Sequence, residues 1–187
     1  MKFCPPAENS WTSQLPAEFA ALPAFWLDKP GALTASLRNL GQLTLAVQAE
    51  RATTLHAEES WMLDEPQAWV REIVMSLDQH PMVCARSFCT VAAADDQWAS
   101  IKNLGTKPLA DILYNDPEVS RSSFCYRLNS EEDSALAPLA QQTFHTQALT
   151  PLYARCSRFM RHNQALIVIE CFHPEFWVRY PNSQLLA

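Results

Sequence analysis

Glycine is scarce in this chain, and its scarcity excludes several common ligand-binding motifs. Only three glycines occur among 187 residues. Loops that cradle phosphates or dinucleotides need several closely spaced glycines, because their backbone must approach the ligand closely. The sequence also lacks GxSxG and HExxH, the motifs of hydrolase nucleophile elbows and zinc proteases. These absences argue against phosphate-loop, serine-hydrolase and metalloprotease chemistry.

Positively charged residues are also fewer than negatively charged ones. The chain has 14 Lys and Arg against 20 Asp and Glu, so the net charge is −6 and the isoelectric point is about 5.3. Nucleic-acid-binding domains carry the opposite bias, and we expect no nucleic-acid partner. An acidic protein that binds an anion must concentrate its cations locally, so the placement of individual arginines matters more than their number.

Long apolar runs, CxxC motifs and a recognisable signal peptide are missing as well. No apolar run approaches the ~18 residues of a membrane span, and "MKFCPPAENSW" does not resemble a signal peptide. We expect six reduced, mostly buried thiols and a cytoplasmic location. Cys171 and His173 are two residues apart, but no second pair at metal-ligand spacing accompanies them, so we expect no metal.

What the sequence does contain predicts one α+β domain over residues 1–187, with an irregular N-terminus (1–16) and a C-terminal extension (175–187). Residues 115–150 predict a long loop or weak helix. We expect short helices within 16–28, 31–41, 95–105 and 106–114, the last starting at Pro108, and strands at 42–50, 69–77, 82–91, 153–161 and 164–172. Strands joined by short turns predict an antiparallel sheet with helices on one side.

The first predicted hairpin raises a question about two arginines. Read as a strand, residues 69–77 put Arg71 into an otherwise apolar stripe. With a two-residue turn at residues 78–79, Arg71 would lie directly opposite Arg86. A four-residue loop would shift the pairing by two residues but keep both arginines on the same face. A guanidinium keeps its charge, and like charges opposite each other destabilise a sheet. Either both arginines reach carboxylates such as Glu72 or Asp78, or an anionic ligand lies between them.

The second predicted hairpin puts a carboxylate into an apolar stripe. With a turn at His162 and Asn163, Glu170 shares a face with Leu166, Val168 and Phe172 and lies opposite Arg155. One interpretation is a structural salt bridge. The other is a carboxylate in an apolar pocket that exchanges a hydrogen bond with a ligand hydroxyl.

A third candidate element is the helix start in "LGTKPLADIL". Pro108 has no N–H, so the first free amide of the predicted helix is near Leu109. Exposed amides at a helix N-terminus attract carboxylates. A helix start with no ligand explains the same residues.

Four segments in the same order resemble the chorismate pyruvate-lyase family. They are "WVREIVMSLDQHPMVCARSFCTV", "LGTKPLADILY", "YARCSRF" and "LIVIECFHP", within a match from about residue 24 to 174. The resemblance implies an antiparallel sheet of about six strands, with helices packed on it and flaps over an internal ligand pocket. It also implies conversion of chorismate to 4-hydroxybenzoate and pyruvate for ubiquinone synthesis, with no metal and no cofactor.

The resemblance also assigns roles to residues. Arg71 and the backbone N–H of Leu109 would bind the ring carboxylate, and Glu170 would contact the 4-hydroxyl. Arg86 would lie towards the pyruvyl part and stabilise the charge on the departing oxygen. Leu33 would fall on a flap over the ligand. The implied partners are chorismate and 4-hydroxybenzoate, bound by a monomer.

The chain departs from the family pattern in several places. Ala110 replaces the usual glycine after "PL", Cys156 stands where an arginine is common, and residues 115–150 are longer than usual. A non-catalytic aromatic-acid-binding module on the same fold is an alternative function, since related folds serve as small-molecule sensor domains in transcription regulators. A purely structural protein is a further alternative, although the placement of Arg71, Arg86 and Glu170 in apolar stripes would then be three separate coincidences.

Overall fold

The fold is built on one twisted antiparallel sheet. A computed structural model describes residue 3 and residues 11–17, 19–129, 137–144 and 152–183. Within these ranges the sheet has seven strands, in the order β1-β2-β3-β7-β6-β4, with β5 also paired to β6. The strands are β1 (Leu43–Thr54), β2 (Gln67–Leu77), β3 (His80–Thr90), β4 (Ser120–Arg121), β5 (Cys125–Asn129), β6 (Leu152–Arg161) and β7 (Gln164–Phe172). The predicted α+β class is confirmed.

Both predicted hairpins form with the expected two-residue turns. Asp78 and Gln79, and likewise His162 and Asn163, have positive φ at both turn positions. Such turns match the twist of the flanking strands. The turn residues therefore set the hairpins, and the ends of these four strands lie within two residues of the predicted ones.

The register of the first hairpin differs from the predicted one. Near the turn Ser76 pairs with Pro81, but the next pair is Met75 with Val83, so Met82 is an extra residue in β3. Beyond this bulge Arg71 lies opposite Ser87. The predicted Arg71–Arg86 pairing was wrong, because one extra residue moves every later side chain of the strand to the other face.

Helices cover both faces of the sheet, so the prediction of helices on one side was wrong. On one face, which we call the α1 face, strand residues such as Ile73 and Ala85 pack against α1 (Ala21–Asp28) and α2 (Leu33–Arg38). On the other, the α6 face, Val70 and Phe88 pack against α6 (Ala137–Phe144).

The remaining helices are short. They are α3 (Ala57–Ser60), α4 (Val91–Asp95), a 3₁₀ helix (Ala99–Asn103), α5 (Ala110–Leu113) and α7 (Pro174–Arg179). In place of the single helix predicted within 95–105, the structure has α4 and the 3₁₀ helix. The first of these begins at Val91 because Thr90 caps it, accepting a hydrogen bond from the Ala93 amide at 3.1 Å. The helix predicted to start at Pro108 begins at Ala110. None of the described helices is long and apolar enough to cross a membrane.

The terminal and middle segments are more ordered than the sequence suggests. Residues 115–150, expected as loop or weak helix, supply β4, β5 and α6. Residues 130–136 and 145–151 of that segment lie outside the described residues. The predicted C-terminal extension forms most of α7, whose Phe176 is completely buried against Trp26 and Phe172.

Candidate active site

The site is a cavity between the α1 face of the sheet and two covering segments. Its volume is about 60 Å³. The floor comes from β2, β3, β6 and β7, and the cover from residues 32–34 and 108–114. The lining is mostly apolar, with a few polar side chains: Thr34, Arg71, Ser87, Tyr114, Arg155, Ser157 and Glu170. An apolar cavity with a few convergent polar groups is typical of a small-molecule site.

Arg71 lies in this cavity with part of its guanidinium unused. Its side chain is 1% exposed, and its Nε donates to Glu50 Oε1 at 2.8 Å. Its Nη2 donates to the Gly105 carbonyl at 2.6 Å and over a longer distance to that of Lys107. Among the described residues nothing accepts a hydrogen bond from Nη1. The arginine is therefore held in position while one N–H edge remains available to an anion.

Leu33 and Leu109 lie on the two covering segments. Leu33 is the first residue of α2, Leu109 directly precedes α5, and both line the cavity. The backbone bonds of the 104–112 turn use other amides, and no carbonyl in the described part of the chain accepts from the Leu109 N–H. Leu109 and Arg71 thus line the same cavity, as the family resemblance implied.

Glu170 and Arg155 form the second polar group of the cavity. They are direct cross-strand partners, as predicted, and Arg155 Nε donates to Glu170 Oε2 at 2.6 Å. Arg155 Nη1 donates to the carbonyls of Trp26 (3.1 Å) and Lys29 (3.0 Å) near the end of α1. The guanidinium also lies 4.5 Å from the ring centre of Phe124, a cation–π contact. The sequence indicated the pair but not that its arginine lines the ligand cavity.

Arg86 lies outside this cavity, on the α6 face, so the expectation that it accompanies Arg71 was wrong. Its Nε and Nη2 donate to the two carboxylate oxygens of Glu59 at 2.7 and 3.0 Å, and its Nη1 donates to Glu72. Burial alone would lower the pKa of Arg86, but the bonds and charges of Glu59 and Glu72 raise it. The alternative in which the arginine pairs with protein carboxylates therefore describes Arg86.

Tyr114 is a cavity residue that the sequence analysis missed. Its hydroxyl donates to the Gly31 carbonyl at 2.8 Å, and its ring packs edge-on against Phe159. Burial is the main cause that raises the pKa of Tyr114, and the nearby Glu170 charge adds to it. The hydroxyl therefore stays protonated near neutral pH and acts as a donor. The two residues that make this contact are 83 positions apart, so no local sequence pattern indicates it.

The described residues contain no cluster of three or more side chains that could hold a metal ion. Cys171 is buried in the core of the α6 face. The Nδ1 atom of His173 accepts a hydrogen bond from the Glu175 amide at 3.0 Å and so caps α7. These two residues have structural roles.

Comparison with known protein families agrees with this geometry. A model of the family described as chorismate lyase matches residues 6–181. The chain belongs to the chorismate lyase family. Among its relatives, a "Probable chorismate pyruvate-lyase" of Bordetella avium (strain 197N) is 41% identical, over 94% of this chain and 89% of the relative. A "Probable chorismate pyruvate-lyase 1" of Burkholderia pseudomallei (strain 1710b) is 38% identical, over 95% and 96%.

This chain is similar in fold to domains of transcriptional regulators. A GntR-family transcriptional regulator from Bacillus cereus matches with a TM-score of 0.52 and 8% identity, over 72% of this chain and 94% of that one. The C-terminal domain of the histidine utilization repressor from Pseudomonas syringae pv. tomato matches with a TM-score of 0.50 and 17% identity, over 71% and 92%. At these identities the likeness concerns the fold alone.

Proposed function

We propose that this member of the chorismate lyase family is a chorismate pyruvate-lyase. It converts chorismate to 4-hydroxybenzoate and pyruvate, the first committed step of ubiquinone biosynthesis. The observation that carries this proposal is one buried cavity that combines an arginine with an available N–H edge, Arg71, and a carboxylate, Glu170. Family membership and relatives named for this activity support it.

The two polar groups suit the two ends of the product. Arg71 Nη1 and the Leu109 amide bind the ring carboxylate, because a guanidinium and an exposed amide are strong donors to such an anion. Glu170 accepts a hydrogen bond from the 4-hydroxyl at the opposite end of the ring. Leu33 covers the ring from α2. The ligand then lies across the floor of the cavity between β2 and β7.

The reaction requires few catalytic groups from the protein. The C3–oxygen bond of chorismate breaks, the neighbouring ring carbon loses its hydrogen, and the released enolpyruvate takes up a proton to become pyruvate. The ring becomes aromatic, so the reaction is strongly downhill and neither consumes nor produces electrons. Holding the substrate in a conformer ready for elimination, away from water, supplies much of the rate. Glu170 orients the hydroxyl or takes part in proton transfer.

The alternative function is a non-catalytic aromatic-acid-binding module on the same fold. It would use the same contacts to Arg71 and Glu170 but release no pyruvate. The cytoplasmic location, the monomeric state and the absence of a cofactor stay predictions from the sequence.

The test is pyruvate release from chorismate by the purified protein, with 4-hydroxybenzoate measured by chromatography. We expect equimolar products from the wild type. Arg71→Ala removes a charged hydrogen bond of about 1.5–3 kcal/mol, so it should lower kcat/KM by about 10- to 100-fold. Saturable binding of 4-hydroxybenzoate without pyruvate release would instead support the binding module.

The matched control is Arg51→Ala. Arg51 lies on β1, is about half exposed and sits 3.6 Å from Glu72, outside the cavity. Because Arg51 is solvent-exposed and its distance to Glu72 is long, the pair contributes little to stability, so this variant should keep wild-type activity. Equal activity of Arg71→Ala and Arg51→Ala would rule out Arg71 as the substrate anchor.

A further inference from the structure

We propose that Arg155 binds the carboxylate of the enolpyruvyl group of chorismate, the role that the sequence suggested for Arg86. The inference deepens the proposed function and rests on it.

Arg155 is anchored by two of its three nitrogen positions. Its side chain is 2% exposed; Nε is bonded to Glu170, and Nη1 is bonded to the carbonyls of Trp26 and Lys29. In the ranges that the structure describes, nothing accepts from Nη2. The bonds fix the plane of the guanidinium, and the side chain lines the cavity. An N–H edge that faces a cavity and has no acceptor from the described residues is available to an anionic ligand.

The presence of two arginines in one cavity suits a substrate with two carboxylates. Arg71 lies on β2 and Arg155 on β6, with β3 and β7 between them. Three strand spacings, together with an offset of two residues along the strand, separate their backbones by about 16 Å. Both side chains lie on the same face of the sheet and line the cavity, so two buried cations face the volume that one ligand would occupy.

The chemistry of chorismate fixes which end meets Arg155. The enolpyruvyl ether is on C3, next to the carbon that carries the 4-hydroxyl. If Glu170 holds that hydroxyl, the adjacent ether and its carboxylate come close to the guanidinium bonded to Glu170. The same cation would then stabilise negative charge that develops on the departing oxygen. Arg86 cannot take this role from the α6 face, where Glu59 and Glu72 occupy it.

The experiment compares two stable ligands by calorimetry. One is 4-hydroxybenzoate, and the other is 3-(carboxymethoxy)-4-hydroxybenzoate, which adds a second carboxylate at the C3 ether. Arg155→Lys keeps a positive charge opposite Glu170 but loses the planar fork of donors. We expect this variant to bind 4-hydroxybenzoate nearly as well as the wild type. Its affinity for the dicarboxylate, and its kcat/KM for chorismate, should fall by about 10- to 100-fold.

Arg71→Lys is the comparison variant and should weaken both ligands, since each contains the ring carboxylate. If Arg155→Lys also weakens both ligands equally, Arg155 merely positions Glu170 and α1, and the proposal is overturned. Equal affinity of Arg155→Lys and the wild type for both ligands would overturn it too.

A measurement on the unmodified protein keeps the proposal testable if Arg155→Lys does not fold. The wild type should bind the dicarboxylate about 10-fold or more tightly than the matching neutral amide, 3-(carbamoylmethoxy)-4-hydroxybenzoate. Equal affinity for these two ligands would exclude a cation at this end of the cavity. Pyruvate release by the wild type separately decides the proposed function, so failure of one does not imply failure of the other.

Discussion

At the scale of single residues, hydrogen-bond partners separate arginines that hold the fold from arginines that are available to a ligand. Arg86 is surrounded by two carboxylates, Glu59 and Glu72. Arg71 and Arg155 each have one carboxylate and backbone carbonyls, and each keeps one nitrogen without an acceptor among the described residues. Because a guanidinium stays charged at ordinary pH, the unused nitrogen is a site for an anion.

Glu170→Gln tests the two interpretations of the carboxylate at this scale. Glutamine keeps an oxygen that can accept from Arg155 Nε but removes the charge that holds the 4-hydroxyl. If Glu170 contacts the ligand, kcat/KM for chorismate should fall by about 10- to 100-fold, corresponding to about 1.5–3 kcal/mol for a charged hydrogen bond. Steady-state kinetics with thermal unfolding as a fold check measures this. Loss of stability with unchanged kinetics would instead identify a structural salt bridge.

At the scale of secondary-structure elements, the two segments that cover the cavity are tied to each other. The hydroxyl of Tyr114, after α5, donates to the carbonyl of Gly31, before α2. Gly31 has a φ of +83°, a conformation that glycine adopts without strain. Arg71 and Arg155 are almost completely buried beneath these segments, so we expect the link between the segments to slow the exchange of a ligand.

Tyr114→Phe should therefore speed ligand release. The variant keeps the ring that packs against Phe159 and removes only the hydroxyl. Loss of a neutral hydrogen bond of about 0.5–1.5 kcal/mol predicts a dissociation rate for 4-hydroxybenzoate that is about 2- to 10-fold higher. Stopped-flow displacement measures this rate. Tyr180→Phe, at the end of α7 and outside the cavity lining, is the control, and equal rates for both variants would exclude the link between the segments.

At the scale of the whole molecule, the ion pairs of the α6 face join a distant segment to the centre of the sheet. Glu59 belongs to α3, is 1% exposed and binds Arg86 of β3 with both carboxylate oxygens. Its removal leaves the buried guanidinium with Glu72 as its carboxylate partner within the described ranges. The stability of the molecule should depend on Glu59 more than on any exposed pair.

Glu59→Gln should lower the free energy of unfolding by about 3 kcal/mol, because the buried Arg86 guanidinium then loses the carboxylate that binds two of its nitrogens and keeps only Glu72 as a carboxylate partner among the described residues. Urea denaturation measures this change. Glu175→Gln is the matched control: its pair with Arg179 is solvent-exposed and four residues apart on α7, and such pairs contribute about 0.3–0.5 kcal/mol. Equal effects of the two substitutions would contradict the argument.

Much of the sheet was predictable from the sequence because its determinants are local. A two-residue turn that tolerates positive φ sets a hairpin, and the period of two then assigns each side chain to a face. This reasoning located β2, β3, β6 and β7 and paired Glu170 with Arg155. The same segments carry the motifs of the chorismate lyase family, so the family was also accessible from the sequence alone.

Only the tertiary structure decided which arginines line the cavity. The bulge at Met82 leaves no mark on the alternation of β3, yet it moves Arg86 to the α6 face, where Glu59 binds it. Arg155 is held in position by hydrogen bonds to backbone carbonyls more than 120 residues earlier in the chain. Turns and periodicity act between neighbours, whereas a bulge and a buried charge are settled by packing between distant segments. The local sequence thus determined the secondary-structure elements, and the packing of these elements determined which residues line the cavity.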